Sequence, residues 1–145
     1  MFVHFYIWQN QAFIPTAAIT NAGFFFDIEP VTSLQLSDTK LFIQVISRYM
    51  SKGNPRIPTP SISNLPKGAV LKYAKQKSWS KFEKTGDCWQ ITEDDKSYTI
   101  EKLGRLRKGG WGGEPVLSIQ VPKQSSLMQN VAERVVEEVL KDLAK

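Results

Sequence analysis

Phe2-Val3-His4-Phe5-Tyr6-Ile7-Trp8 is a run of aromatic and β-branched side chains; Gln9-Asn10-Gln11 breaks it, and residues 12–20 resume it with Phe13, Ile14 and Ile19. Two such runs around a short polar break predict a β-hairpin entering a sheet. Pro15 has no N–H to give a ladder, so its strand is expected at an edge or interrupted. Asn21-Ala22-Gly23 marks a second turn. Phe24-Phe25-Phe26, continued by Ile28, Val31, Leu34 and Leu36, predicts a long third strand kinked at Pro30.

After the strands the period changes. Ser37 or Asp38 is placed to cap a helix whose apolar positions, Leu41, Phe42, Val45, Ile46, Tyr49 and Met50, recur every three to four residues. Gly53 closes it, with Pro55 beyond. Residues 54–66 hold four of the eight prolines and are expected to form an extended surface connection. Residues 70–74 are expected as a short strand; residues 78–84 fit either a helical turn capped by Ser78 or a strand. Trp89-Gln90-Ile91 and Tyr98-Thr99-Ile100 alternate around Glu93-Asp94-Asp95-Lys96, which predicts a second hairpin. Residues 116–121 give a last strand. Ser126 with Gln129 predicts a capping box for a terminal helix carrying Leu127, Met128, Val131, Val135, Val136, Val139, Leu140 and Leu143 on its apolar face. The expectation is an α+β fold: one domain over residues 1–145, with a mostly antiparallel sheet of six or seven strands and two helices, about 38–52 and 126–144, packed on it.

Composition narrows the class. Apolar residues at 41% and charged residues at 23% are ordinary globular values, and 145 residues suffice for one core. The single cysteine, Cys88, has no partner for an internal disulfide, which points to a reducing compartment, the cytoplasm. No stretch reaches the roughly 20 apolar residues of a membrane span, and the apolar start lacks the marks of a signal peptide. No membrane association is expected.

Little here is suited to chemistry. A nucleophilic thiol needs a base, and His4 is the only histidine; it lies in an apolar strand and Cys88 adjoins Trp89, so packing is the expected role of both. One imidazole and one thiol do not make a zinc site, and neither metal nor cofactor is expected. Glu93-Asp94-Asp95 at a hairpin tip reads as a solvated turn. The chain is therefore read as non-catalytic.

Charge is the feature that remains. The net charge is +5, and its excess falls between residues 37 and 123. Six lysines and one acid, Glu83, surround Tyr73, Trp79 and Phe82 between Lys67 and Lys84. Gly104-Arg105-Leu106-Arg107-Lys108-Gly109-Gly110-Trp111-Gly112-Gly113 adds three cations, a glycine-rich backbone and one large aromatic, without either nucleotide-binding fingerprint. Flanked by glycines, Trp111 is either an exposed anchor of the kind found at binding hot spots or a ring folded back onto the sheet. The lysine segment taken alone also reads as a solvated face. Together the two segments predict a cationic, aromatic-bearing face of Lys72, Lys75, Lys77, Trp79, Arg105, Arg107, Lys108 and Trp111. An acidic protein surface would suit it, and so would a nucleic-acid backbone with stacked bases.

Gly53-Asn54-Pro55-Arg56-Ile57-Pro58-Thr59-Pro60, then Val70-Leu71-Lys72-Tyr73-Ala74-Lys75 and Lys77-Ser78-Trp79-Ser80-Lys81-Phe82, resembles a small bacterial family of about this length. That arrangement is similar to the immunity proteins of contact-dependent growth inhibition and related polymorphic toxin systems. The resemblance covers the middle third and implies a cytoplasmic protein that binds the C-terminal toxin domain of an effector and blocks its active site or substrate groove. A basic immunity protein implies a toxin with an acidic surface or an acidic metal-binding site. The alternative is a basic nucleic-acid-binding module.

Overall fold

The computed structural model describes residues 1–61 and 68–145. Residues 62–66 of the expected extended connection, and Lys67 of the lysine-rich segment, lie outside the described residues. Along the chain run β1 (Phe2–Trp8), β2 (Gln11–Thr20), β3 (Phe25–Gln35), α1 (Thr39–Lys52), β4 (Arg56–Ile57), α2 (Ala69–Ala74), α3 (Trp79–Thr85), β5 (Asp87–Glu93), β6 (Ser97–Lys102), β7 (Leu117–Pro122) and α4 (Met128–Leu143). The strands form one sheet in the order β3-β2-β1-β5-β6-β7, antiparallel throughout, with the short β4 added to β2 in parallel. The α+β architecture with a six- to seven-stranded antiparallel sheet is as the sequence predicts; its helices number four among the described residues, two long and two short, where two were expected.

Gln9 and Asn10, both at positive φ, make the two-residue turn between β1 and β2, a conformation matched to the twist of a hairpin. The ladder they start is brief, pairing Tyr6, Ile7 and Trp8 with Phe13, Ala12 and Gln11. Beyond it β1 and β2 part. Pro15 sits in the parted stretch, where no N–H is required of it, and the register against β3 shifts between Pro15 and Thr16, so that Glu29 and Pro30 face no partner. Pro15 thus marks an interruption inside the sheet order and not an edge strand. Asn54 fills the gap: its side chain accepts from the Phe2 N–H (2.9 Å) and donates to Phe2 O (2.7 Å) and Ala17 O (2.8 Å).

Alternation along β1 divides the molecule. Val3, Phe5 and Ile7 point to the larger core, shared with Phe42, Val45, Ile46 and Met50 of α1 and Val131, Val135 and Val139 of α4. Tyr6 points to the opposite face, where Phe13, Val31, Val70, Ala74, Phe82 and Cys88 form a second core beneath α2 and α3. Helices therefore cover both faces of the sheet.

The caps explain the helix limits. Asp38 accepts from the Leu41 N–H (3.2 Å) at the start of α1, and Gly53 takes positive φ at its end. At α4 the expected Ser126/Gln129 box is replaced: Asn130 Oδ1 accepts from the Leu127 N–H (3.2 Å), and Gln129 turns outward to Glu133. The start lies one turn-position later than the sequence suggested, and Leu127 is left 76% exposed, off the apolar face to which it was assigned.

Residues 70–74, expected as a strand, are the helix α2. Val70 and Ala74, four apart, are the buried pair, so burial follows the helical period. Lys75 in the left-handed region lets the Gln76 N–H return to Leu71 O (3.0 Å), which stops the helix. For residues 78–84 the helical alternative is the one observed, with Ser78 Oγ accepting from the Lys81 N–H.

Candidate functional site

The glycine-rich segment between β6 and β7 folds back on itself and lies along α3. Gly112 N–H donates to Gly104 O (2.9 Å) and Leu106 N–H to Gly110 O (3.0 Å), with Arg105 bridged to Trp111. Gly109 holds φ +99° so close to α3 that a Cβ on it would fall 2.6 Å from Glu83 Oε1. The positive φ is what favours glycine there, since the carboxylate ends a flexible side chain that can turn aside.

Trp111 is folded back and is not an exposed anchor. Its ring lies 5.4 Å from Tyr6, 5.8 Å from Trp79 and 6.4 Å from Phe82, the partners a long aromatic finds on the sheet face beside α3. Trp79 is half-buried in the same group, edge-on to Tyr6 at 5.6 Å. The two predicted tryptophans are therefore together, as ring contacts beneath the surface. Trp111 Nε1–H is buried without a hydrogen-bond acceptor among the described residues.

Arg105, predicted as a binding residue, is turned inward. Its guanidinium donates to Glu83 O and Gly86 O at the C-terminal end of α3, stands 3.6 Å from Asp87 Oδ1, and lies 5.8 Å from the Trp111 ring centroid. A cation on the last carbonyls of a helix also complements its dipole. Arg105 clamps the loop to the helix.

Between helix and loop lies a groove of about 460 Å³ lined by Ser80, Glu83, Lys84 and residues 105–110. Arg107 and Lys108 project from its loop side, both exposed. Among the described residues, Lys75, Lys77, Lys81, Lys84, Arg107 and Lys108 make no ion pair. Around the other core Lys102 binds Asp142 (2.7 Å), Lys123 binds Glu93 (2.7 Å), and Arg134 and Lys141 pair along α4 with Glu138 and Glu137, while Lys40, Arg48 and Lys52 of α1 make no ion pair among the described residues. Lys72 lies apart from the groove, paired with Glu29 (3.3 Å), whose carboxyl is held below the usual range by the Tyr73 hydroxyl (2.8 Å) and then by Lys72. Lys75 and Lys77 occupy the link between α2 and α3. Lys81 and Lys84 were not singled out by the sequence, although the Ser78 cap and their three-residue spacing put them on one exposed side of α3.

Cys88 is buried on the second face, where burial, then the charges of Asp27 and Asp87, push its thiol far up. His4 has a partner that sequence reading missed: its Nε2 is hydrogen-bonded to Asp27 Oδ1, while Tyr6 O–H donates to Asp27 Oδ2 at 2.7 Å. Burial first, then Asp27, raise the Tyr6 phenol well above its ordinary value. At the second hairpin Asp94 accepts from the Lys96 and Ser97 N–H groups (both 2.8 Å), a turn role. Among the described residues no three His, Cys, Asp or Glu side chains gather as a metal site, and no helix is long and apolar enough to cross a membrane.

Comparison with known proteins bears on the fold. No family model matches the chain, and no curated protein matches its sequence. Among solved structures it is similar to a protein of unknown function from Neisseria meningitidis, NMB0488, with a TM-score of 0.66 over 97% of this chain and 93% of that one, at 9% sequence identity. At that identity the likeness shows a shared fold, the antiparallel sheet with its helices, and nothing of the activity.

Proposed function

We propose that this chain is a non-enzymatic immunity protein, acting in the cytoplasm, that neutralises a toxin domain by receiving an acidic part of it at the groove between α3 and the Arg107–Lys108 loop. The observation that carries the reading is the gathering of cations at one groove: Lys84, Arg107 and Lys108 line it with Glu83 as the one acid of that lining, Lys81 stands on the same helix, and none of these four cations makes an ion pair among the described residues. An uncompensated patch of one sign raises the encounter rate with a partner of opposite sign and rejects partners of like sign. Protein is favoured over nucleic acid because Trp79 and Trp111, the rings on which bases would stack, are spent on each other and on Tyr6 and Phe82.

The test is growth rescue. The C-terminal domain of a candidate effector, sought as a large secreted or surface protein encoded beside this chain, is expressed in cells with and without it. Rescue that is lost in the double variant Arg107→Glu/Lys108→Glu supports the proposal, with association slowed about tenfold or more; no rescue by the parent chain, or rescue untouched by the double variant, refutes it. A gel shift with mixed RNA and DNA at two salt concentrations provides the counter-test. Binding with a steep salt slope, roughly −0.9 per phosphate on duplex DNA, would transfer the groove to nucleic acid.

A further inference from the structure

Strand β7 ends the sheet, with β6 on one side and no strand among the described residues on the other. Its ladder shows which main-chain groups face out. Lys123 N–H donates to Lys96 O (2.9 Å), and the register sets Tyr98 against Val121, Ile100 against Ile119 and Lys102 against Leu117. Hydrogen-bonded pairs alternate along an antiparallel ladder, so Leu117, Ile119 and Val121 bond to β6 while Ser118, Gln120 and Pro122 turn their main-chain groups away from it. Val116 N–H is taken up by Lys102 O (2.9 Å), and Pro122 has no N–H. The outward donors are those of Ser118 and Gln120, and neither has an acceptor among the described residues. Exposed edges are usually guarded by charges, prolines or bulges. β3, the opposite edge, has all three in Asp27, Glu29, Pro30 and the register shift against β2. Residues 117–121 have none, and the adjoining charges on β6 are occupied, Glu101 by Gln90 (2.6 Å) and Lys102 by Asp142 (2.7 Å). Leu117, Ile119 and Val121 pack on the larger core yet are only partly buried, so its apolar layer stays open at this edge.

We propose that β7 pairs with β7 of a second copy of this chain, antiparallel about a two-fold axis at Ile119, to run one sheet through two molecules. That register sets Ser118 against Gln120 of the copy and Gln120 against its Ser118. Each pair exchanges both main-chain bonds, and Val116 and Pro122 fall at the ends, where neither has a donor to offer. Leu117, Ile119 and Val121 meet Val121, Ile119 and Leu117 of the copy, apolar on apolar, and Val116, 68% exposed, comes opposite Pro122 of the copy. No charge on the strand faces its own image. The edge is its own complement, as a two-fold interface requires. Six residues a side bury little, so the dimer is weak, with a dissociation constant of about 100 µM. Each copy carries a net charge of +5, and salt screens that mutual repulsion, so the dimer tightens as salt rises, the reverse of a contact between cations and acids. The inference rests neither on the groove between α3 and the loop nor on any toxin.

Sedimentation velocity of the whole chain, from about 10 µM to about 1 mM at low and high salt, tests it together with amide hydrogen exchange. The expected result is a monomer–dimer equilibrium that tightens with salt, and exchange at Ser118 and Gln120 that slows as the protein is concentrated. Gln120→Pro deletes a donor that the chain itself does not use, at an edge position that tolerates proline, and should weaken the dimer about tenfold. Ser118→Lys combined with Gln120→Glu sets opposite charges across the axis twice and should tighten it several-fold, whereas Ser118→Lys combined with Gln120→Lys sets like charges there and should weaken it about tenfold. The charge variants alter only exposed side chains and serve if the proline variant folds poorly. A chain that stays monomeric at about 1 mM, a dimer that loosens as salt rises, slowed exchange elsewhere but not at these two amides, a folded Gln120→Pro variant that dimerises undiminished, or equal effects of the two charge variants would overturn the proposal.

Discussion

Replacing Arg105 by alanine separates a structural cation from the binding cations. In the parent, one guanidinium holds two carbonyls at the end of α3, those of Glu83 and Gly86, and covers Trp111. Hydrogen bonds to a charged group contribute about 1.5–3 kcal/mol each when shielded, but this side chain is 43% exposed, so water takes over part of the loss. The Asp87 contact at 3.6 Å adds little for the same reason. Gly86 is buried, however, and its carbonyl is left without a donor. With about 0.5–1 kcal/mol for the contact with Trp111, Arg105→Ala should cost about 2–3 kcal/mol, a fall in Tm of about 5–10 °C for a chain of this length. Arg107→Ala and Lys108→Ala, whose side chains make no ion pair, should stay within about 0.5 kcal/mol of the parent. Urea denaturation followed by tryptophan fluorescence measures all three. A loss below about 0.5 kcal/mol for Arg105→Ala, or an equal loss for Arg107→Ala, would refute the clamp.

Phe82 touches Tyr6, Trp8, Phe13, Trp79 and Trp111 and is fully buried, so Phe82→Ala should cost about 3–5 kcal/mol in the same assay; a loss under about 1.5 kcal/mol would show that the second core is not built around it. Cys88, buried and with its thiol pushed up, should resist a thiol reagent at mildly alkaline pH in the folded protein and react at once in denaturant, and rapid labelling of the native chain would contradict its burial. Glu93 is held below the usual glutamate range mainly by Lys123, so its contribution is present above that range and is lost as pH falls through its lowered value. Glu93→Gln should therefore be less stable than the parent at neutral pH, with the difference closing in acid; a difference that persists unchanged in acid would contradict that linkage.

The elements legible in the sequence were those whose signal is local and repeated. The β1–β2 turn, α1 with its aspartate and glycine, and the Glu93–Ser97 hairpin each carry turn or cap residues beside a periodic run. Over only five residues, Val70 to Ala74, the two periods are hard to tell apart, and a single αL residue, Lys75, ends the helix without a glycine. The site was half legible for a different reason. Charge type is written in the sequence, so the cationic segments stood out; the acceptors that employ Arg105 are backbone carbonyls, which every residue has. Likewise Asp27 is 23 positions from His4, and it meets that histidine only because β2 and β3 carry it back over β1. Glycines around Trp111 suggested freedom, yet Gly109, at φ +99°, serves the turn in which its N–H returns to Leu106 O (3.1 Å) and the loop folds back beside Glu83.

The division of labour between the two faces has a physical basis in helix length. α1 and α4, at 14 and 16 residues, bring full apolar faces to the larger core, while α2 and α3 have six and seven residues. Helices that short do not persist in water unaided. Their position is borrowed from the ring cluster of Tyr6, Trp79, Phe82 and Trp111, and from Arg105 across the end of α3. The groove cations ride on this layer and contribute little to it, since they are exposed and unpaired. Two kinds of loss should therefore be separable in any complex: charge reversal at Arg107 and Lys108 slows association while the free protein stays as stable as before, whereas weakening Phe82 or Arg105 leaves the charges in place but blurs the geometry in which they are presented, and the complex then dissociates faster.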